Sequence, residues 1–427
     1  MVAGEVGHLL VIPLTRLATI YRIKLLGSIG HDATPYRRLM LDSIIRFGSQ
    51  SFSRRRLTGF METAIEKYMG IDLHTNRFNY FMIDDAGETK SRGFEIAEES
   101  LKQFYQHIDK NTSLMIEAST NSFKFYDLVK DRVKDVIVAN PRQLRLISFV
   151  NKKTDKIDAE KLAKYLKMQL KGGEKLTEPV YVPEQRIRDL RSLLSTYQLL
   201  NRQITQSKNR IHGLLKQNLI LTKRSTLFSK NEREHIKKIH LDDPVRMQVD
   251  LLFEHVDHLE KTKQKIEDQM KITGSHYYKE IEILTSMTGI SIFTAIVLIA
   301  DIADIRRFAN AKKLSSYLRS SPKIDSSNET VTIRGTNKCG RKHSITILSQ
   351  SCNHFRKTNL RLNRWYNKNQ GRKKASSIRM AILRNVIVEI YHMLSKKEYH
   401  WYINEPYHRR KMREYNKFLN EHGILIN

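Results

Sequence analysis

The chain has 427 residues, with 75 Lys and Arg against 45 Asp and Glu, a formal net charge of +30. Hydrophobic residues make up 40% and charged residues 28%, which suits a folded protein of two or three domains better than a disordered one. The two cysteines, Cys339 and Cys352, exclude a disulfide framework and a four-cysteine zinc site and suit a reducing cytoplasm. So large a basic surplus predicts a polyanionic partner, nucleic acid before an anionic membrane surface, because Lys and Arg contacts to phosphates release counterions.

Residues 1–60 are basic, carry "SRRR" at 53–56 and show no sustained period; Met61 then precedes a well-patterned segment. The expectation is a basic extension, disordered or outside the true start, with translation beginning at Met61. Within it, "HLLVIPLTRLATIYRIKLL" (8–26) is broken by Pro13, Arg16, Arg22 and Lys24, a poor signal peptide and a worse membrane span.

From residue 66 the pattern is α/β. "YMGIDLHT" (68–75) reads as a strand and "RFNYFMIDDAGE" (77–88) as its hairpin partner, turning near Thr75 and Asn76. A helix at 95–108, a strand at 113–119, a helix at 121–132 and a strand at 135–140 follow, the last closed by Pro141. A helix then opens at Thr154 or Asp155 and runs to about 170. The hairpin followed by alternation predicts a mixed sheet flanked by helices over 66–172.

Gly172-Gly173 marks a linker. Over about 184–220, Ile187, Leu190, Leu194, Tyr197, Asn201, Ile204, Lys208, Ile211 and Leu215 form a heptad seam. A second helix, about 244–272, carries Val249, Leu252, Val256, Leu259 and Ile266 on one stripe. An antiparallel hairpin within the chain and a dimer coiled coil satisfy this 184–275 pattern equally.

"LTSMTGISIFTAIVLIADIADIRRFANAKKLSSYL" (284–318) reads as helix, glycine turn, buried apolar helix, turn and helix, an arrangement like helix-hairpin-helix elements that approach DNA backbones. Residues 321–344 read as an irregular loop rich in Ser, Thr, Asn and Gly. Two helices follow, about 343–369 and 374–395, and 396–427 is a basic, tyrosine-rich tail whose rings could stack on bases but more readily pack.

Two constellations could carry chemistry. Asp72 lies in a strand, Glu117 at the end of another, and Asp155 and Asp158 share one face of a helix start at i, i+3. Such acids can converge on Mg²⁺, which takes hard oxygen ligands, and two such ions about 4 Å apart serve phosphodiester chemistry. Each acid has a plainer role as well: Asp72 as a strand end, Glu117 as a rim residue, Asp155 as an N-cap and Asp158 as a first-turn acid favoured by the helix dipole. The second constellation is Ser326-Ser327, followed by Asn328 and surrounded in sequence by Arg319, Lys323, Arg334, Lys338 and Arg341. A serine nucleophile needs activation, and Arg and Lys brace a phosphoryl group in transfer; the plainer reading is a polar turn. No HExxH spacing occurs among the 16 histidines, and "KGGEK" (171–175) lacks the spacing of a P-loop.

Asp72, Glu117 and "TDKIDAEKLA" (154–163) resemble the DEDD signature of the insertion-sequence "one-ten" transposases, which include the pilin-type DNA invertases. Residues 284–322 resemble the C-terminal transposase domain of that family, and "GTNKCGRK" (335–342) its basic segment after the serine; the likeness covers about 66–395. It implies an RNase H/RuvC-like domain whose Asp72, Glu117, Asp155 and Asp158 hold Mg²⁺, a dimerising coiled-coil region over 184–275, and a mainly helical C-terminal domain over 280–395 with a serine that bonds covalently to DNA. It also implies paired dimers, a structured bridge RNA as guide, and a bacterial, nucleoid-associated location. Counting from Pro322, Ser327 fits one family arrangement and Ser326 another; Ser327 is favoured. Family members place Gly after the serine where this chain has Asn328, a residue that tolerates left-handed backbone angles. Lys152, Lys153 and Lys156, with the basic residues around the serines, are expected on DNA phosphates. The alternatives are a RuvC-like nuclease that activates water without a serine intermediate, and an inactive, transposase-derived basic coiled-coil protein that binds nucleic acid.

Overall fold

The computed structural model describes residues 65–147, 155–173, 177–223, 226–327, 330–336 and 339–425. Residues 1–60, Lys152, Lys153, Asn328 and Lys338 lie outside the described residues, and for Asp155, Lys156, Lys323, Ser326, Ser327 and Arg334 only the backbone is described. The chain divides into two units, residues 1–67 with 84–88 and residues 68–83 with 89–427. In the first, the Asp85 amide donates to the Glu66 carbonyl at 3.1 Å.

Five strands make a mixed sheet in the order β3-β2-β1-β4-β5: β1 (Lys67–Leu73), β2 (Arg77–Asp84), β3 (Thr89–Glu95), β4 (Thr112–Glu117) and β5 (Asp135–Ala139). A tight turn joins β1 to β2, closed by the His74 amide on the Arg77 carbonyl at 2.9 Å. β2 and β3 pair antiparallel, Ile83 opposite Thr89, and β4 and β5 pair parallel, Glu117 opposite Ala139. The Asn121 side-chain amide, just past β4, donates to the His74 carbonyl at 2.7 Å. The ends of β1 and β4 therefore lie at the same edge of the sheet.

Alternation along the strands sorts the two faces. Met69, Ile71, Phe78, Phe94, Leu114 and Ile116 pack with Phe104 of α1 (Glu98–Tyr105) and Phe125 of α2 (Ser122–Val129). Tyr68, Met115 and Ile137 face the other way, onto Leu162 and Leu166; Phe81 and Ile83 meet Ala159 and Ala163. These four partners belong to α4 (Asp155–Gly172), which follows the short α3 (Pro141–Ile147). Strand β3 falls on residues to which the sequence pattern assigns no element. Its only buried residue is Phe94, so it is a polar edge strand with no apolar alternation to announce it.

The heptad seam is satisfied inside the chain. α5 (Gln185–Gln217) packs on α7 (Asp243–Gly274), with the short α6 (Lys230–Lys238) between them in sequence. Leu200, Ile204, Ile211, Leu215, Val249, Val256 and Leu259 are all buried there. Lys263 lies over the Tyr197 ring and Lys208 pairs with Glu260 at 2.7 Å, so later residues of α5 meet earlier residues of α7 and the pair is antiparallel.

The largest core surrounds α9 (Ile292–Ile302), in which every residue from Thr294 onward is buried. Around it stand α8 (Tyr278–Thr285), α10 (Ala311–Tyr317), α11 (His343–Gln350), α12 (Cys352–Thr358), α13 (Leu360–Asn369), α14 (Ala375–Lys396) and α15 (Glu405–Glu421). The expected helix at 343–369 is thus three helices; Asn359 separates the last two and caps α13 by accepting from the Leu362 amide at 3.2 Å. Within the tail, α15 buries Met412, Tyr415 and Leu419, and the Tyr415 hydroxyl donates to the Lys271 carbonyl at 2.7 Å. Among the described residues no helix is long and apolar enough to cross a membrane.

Candidate functional site

The acids occupy one face and one end of the sheet. Asp72 alternates with Tyr68 and Gly70, and Glu117 with Met115, so both project to the face that α4 covers. A Cβ on Gly70 would stand 2.1 Å from the Ala159 carbonyl oxygen, so α4 crosses β1 at close range there. Lys167, farther along α4, lies over the Tyr68 ring at the start of β1. The N-terminal turn of α4, with Asp155 and Asp158, therefore points to the end of β1 that carries Asp72. Asp158 stands four residues before the buried Leu162, on the stripe that meets the sheet.

At this end Asp72 lies 3.1 Å from His74 Nε2, with 19% of its side chain exposed, and Asp158 lies 3.3 Å from the Lys161 ammonium. Glu117 is exposed. Among the described residues no three His, Cys, Asp or Glu side chains gather closely enough to hold a metal ion. Of the described side chains, Asp72, Glu117 and Asp158 share a face and an edge and form no closed cage.

The serine segment is a β-hairpin rather than an irregular loop. β6 (Pro322–Ser327) pairs antiparallel with β7 (Thr330–Thr336), and Ser327 opposite Thr330 is the last pair before the tip. Ser326 stands opposite Val331. The β-branched residues Ile324, Val331, Thr332 and Ile333 favour this pairing.

Both feet of the hairpin are held. The Arg341 amide donates to the Tyr317 carbonyl at 2.9 Å, and Arg319 Nε donates to the Gly340 carbonyl at 2.6 Å. Gly340 has φ +99°, and a Cβ there would stand 2.2 Å from the Tyr317 oxygen, so only glycine fits. The Arg341 guanidinium also meets the buried carboxylate of Asp301, near the end of α9. Asp301 accepts from the Ser344 amide and hydroxyl, each at 2.9 Å, and lies 3.3 Å from His343 Nδ1. Burial pushes its carboxyl up; the hydrogen bond from His343, the Arg341 charge and the Ser344 amide outweigh that and hold it at about 2. Arg191 of α5 donates to the carbonyls of Ala300 and Asp301 at 2.7 and 3.2 Å, joining the long helix to the same knot. Arg319 and Arg341, expected on phosphate, are thus engaged inside the protein. Asp301 escaped the reading of the sequence, although an acid within "IVLIADIADI" was the available signal: a charge in an apolar helix is buried only with partners.

A contact among the described residues joins the two regions. Arg142, three residues past Ala139 and therefore at the acid-bearing edge of the sheet, donates to Cys339 Sγ at 3.3 Å.

No curated protein matches the chain. A DEDD-type family model described as "Transposase" matches residues 69–220, which include the strand, helix and sheet-edge positions of all four acids. A second model, described as "Transposase IS116/IS110/IS902 family", matches residues 281–366, from α8 through the serine hairpin into α13. With both halves matched in order, the chain belongs to the IS110 family of transposases.

Proposed function

We propose that this transposase cleaves and rejoins DNA with Mg²⁺ held by Asp72, Glu117, Asp155 and Asp158 and with a serine nucleophile, Ser327 rather than Ser326. The sheet is then an RNase H/RuvC-like one. The reading is carried by the common sheet face and edge of Asp72, Glu117 and Asp158. Their donors are all carboxylate oxygens, the ligands a hard cation takes, and when bound the ion supplies positive charge to the phosphate in transfer.

Ser327 Oγ attacks the scissile phosphorus. The Oγ–P bond forms as the bond from phosphorus to a deoxyribose oxygen breaks, and the serine proton passes to that departing oxygen. Attack by a second strand's hydroxyl reverses the step and rejoins DNA with no external energy source. Lys152, Lys153, Lys156, Lys323, Arg334 and Lys338 neutralise backbone phosphates around the two regions. A structured guide RNA selects the target, and the protein acts as paired dimers in the cytoplasm at the nucleoid.

The test is a denaturing gel of the full chain incubated with element-end DNA, guide RNA and Mg²⁺. A covalent protein–DNA adduct is expected, retained in Ser326→Ala and lost in Ser327→Ala and Asp72→Asn. Mg²⁺-dependent nicking without an adduct overturns the serine step in favour of a water-activating nuclease. Salt-sensitive binding that is indifferent to Asp72→Asn, with no cleavage, overturns catalysis altogether.

A further inference from the structure

Trp401 is 91% exposed, flanked by Tyr399 and Tyr402 at 49% each. Single exposed apolar side chains are ordinary; three aromatic rings within four residues, on a segment held rigid at both ends, are not. Lys397 ends α14 in the left-handed region at φ 58°, and the Glu398 amide returns to the Met393 carbonyl at 3.1 Å. The His400 amide donates to Ser286 Oγ at 2.9 Å. His400 Nδ1 accepts from the Tyr402 amide at 3.3 Å, which leaves the ring proton on Nε2 to donate to Glu389 at 3.2 Å. Asn404 then caps α15 through the Tyr407 amide at 3.2 Å. Trp401 is thus presented to solvent by a braced turn whose neighbours on either side are anchored.

Beside it lies a cleft of about 630 Å³ bordered by Arg361, Glu389, His392, Lys396, Trp401 and Tyr402, a volume within the range of small-ligand sites. Arg361 is exposed, though one nitrogen bonds Glu389 at 3.0 Å, and Lys396 is exposed on the same rim, which Glu398 shares. The Lys396 ammonium and the other nitrogens of Arg361 can meet a phosphate, and an aromatic plate beside them matches the face of a base. Duplex DNA keeps its bases stacked inside and offers the plate nothing; an unpaired nucleotide offers both a free base face and a phosphate.

We infer that this cleft binds unpaired nucleotides of a single-stranded nucleic acid, a base stacking on Trp401 and an adjacent phosphate meeting Lys396 and Arg361. The site lies outside the proposed acids and serine hairpin and does not depend on their chemistry. It tolerates any sequence, since every base has a π face.

The full chain carrying Trp365→Phe leaves Trp401 as the sole tryptophan, and its fluorescence reads the site directly. Titration with oligothymidylate and with oligouridylate is expected to quench it, and the tighter of the two identifies DNA or RNA as the strand taken. Trp401→Ala is expected to weaken single-strand binding about tenfold, Trp401→Phe to keep most of it, and both to leave affinity for a blunt duplex unchanged. Unquenched fluorescence, single-strand affinity unchanged in Trp401→Ala, or an equal loss for duplex overturns the inference. So does a change of oligomeric state in Trp401→Ala with single-strand affinity intact, which would mark the patch as a protein interface.

Discussion

Gly70 lies directly beneath Ala159: a Cβ on the glycine would stand 2.1 Å from the Ala159 carbonyl oxygen and 2.4 Å from the Ala163 nitrogen. This approach lets α4 descend onto the sheet and brings its acidic first turn to the height of Asp72. Gly70→Val should therefore lower the urea midpoint by the equivalent of about 3 kcal/mol, at the upper end of overpacking costs. Gly172→Ala, where a Cβ meets nothing within 4 Å, should stay within about 0.5 kcal/mol of the parent.

If the acids hold a metal, ion binding must stabilise the fold by mass action. The melting temperature should rise in millimolar Mg²⁺, and the rise should vanish in Asp72→Asn and in Asp158→Asn. An equal rise in both variants would remove these two acids from the metal set, whatever the state of the serine.

Asp301 predicts an acid limb of stability. Its folded carboxyl, at about 2, lies below its ordinary value of 3.8. The stabilisation is present in full above the ordinary value and is lost as pH falls through about 2. Asp301→Asn should lose about 3–5 kcal/mol at neutral pH, the cost of stranding a buried partner. Its deficit should shrink as the pH is lowered, and chemical denaturation of both proteins across the acid range measures the difference.

Lys411 predicts the opposite limb. Its ammonium is buried and donates to the carbonyls of Thr285 and Ile290, and burial pulls its pKa from 10.5 to about 8. The unfolded chain then holds a proton that the folded chain sheds. This residue's contribution makes the fold more stable as pH rises from about 8 towards 10.5. Lys411→Met should flatten that rise in a urea midpoint series and leave the slope below pH 7 unchanged.

The sequence was most legible where period and burial coincide. The β1–β2 turn, α4, the long helices α5 and α7, and the buried α9 lie within a few residues of their expected bounds. β3 was illegible because its face is solvent, which leaves no apolar rhythm. The serine hairpin was obscured by its polar composition, although the Ile324, Val331 and Ile333 positions carry a strand signal. Whether the α5 seam turned inward or toward a second chain could not be read from the heptads, since the deciding partners, Tyr197 with Lys263 and Lys208 with Glu260, lie on another helix. The acids could be ordered along the chain, but their common edge depends on Gly70 and on the Asn121–His74 bond, long-range contacts without a local sequence pattern. Asp301 and Arg341 stand 40 residues apart, for the same reason.

Gly340 offers a test of the hairpin's foothold. Gly340→Ala forces φ +99° on an alanine and drives its Cβ into the Tyr317 carbonyl. The variant should fold, with its melting temperature lowered by a few degrees, yet show a steep fall in strand cleavage. Unchanged cleavage would mean that the foot does not aim the tip.

That foot has a mechanical consequence. The six-residue strand β6 is a lever arm of ~20 Å, in a hairpin fixed at Gly340 and Arg341. A rotation of ~5° at the fulcrum sweeps the tip through ~2 Å by this geometry, and ~1 Å of misplacement is enough to slow a displacement reaction ~100-fold. On the proposed serine chemistry Asp301, 40 residues of chain from its partner Arg341, is a gunsight: small changes in it move the tip that carries Ser326 and Ser327.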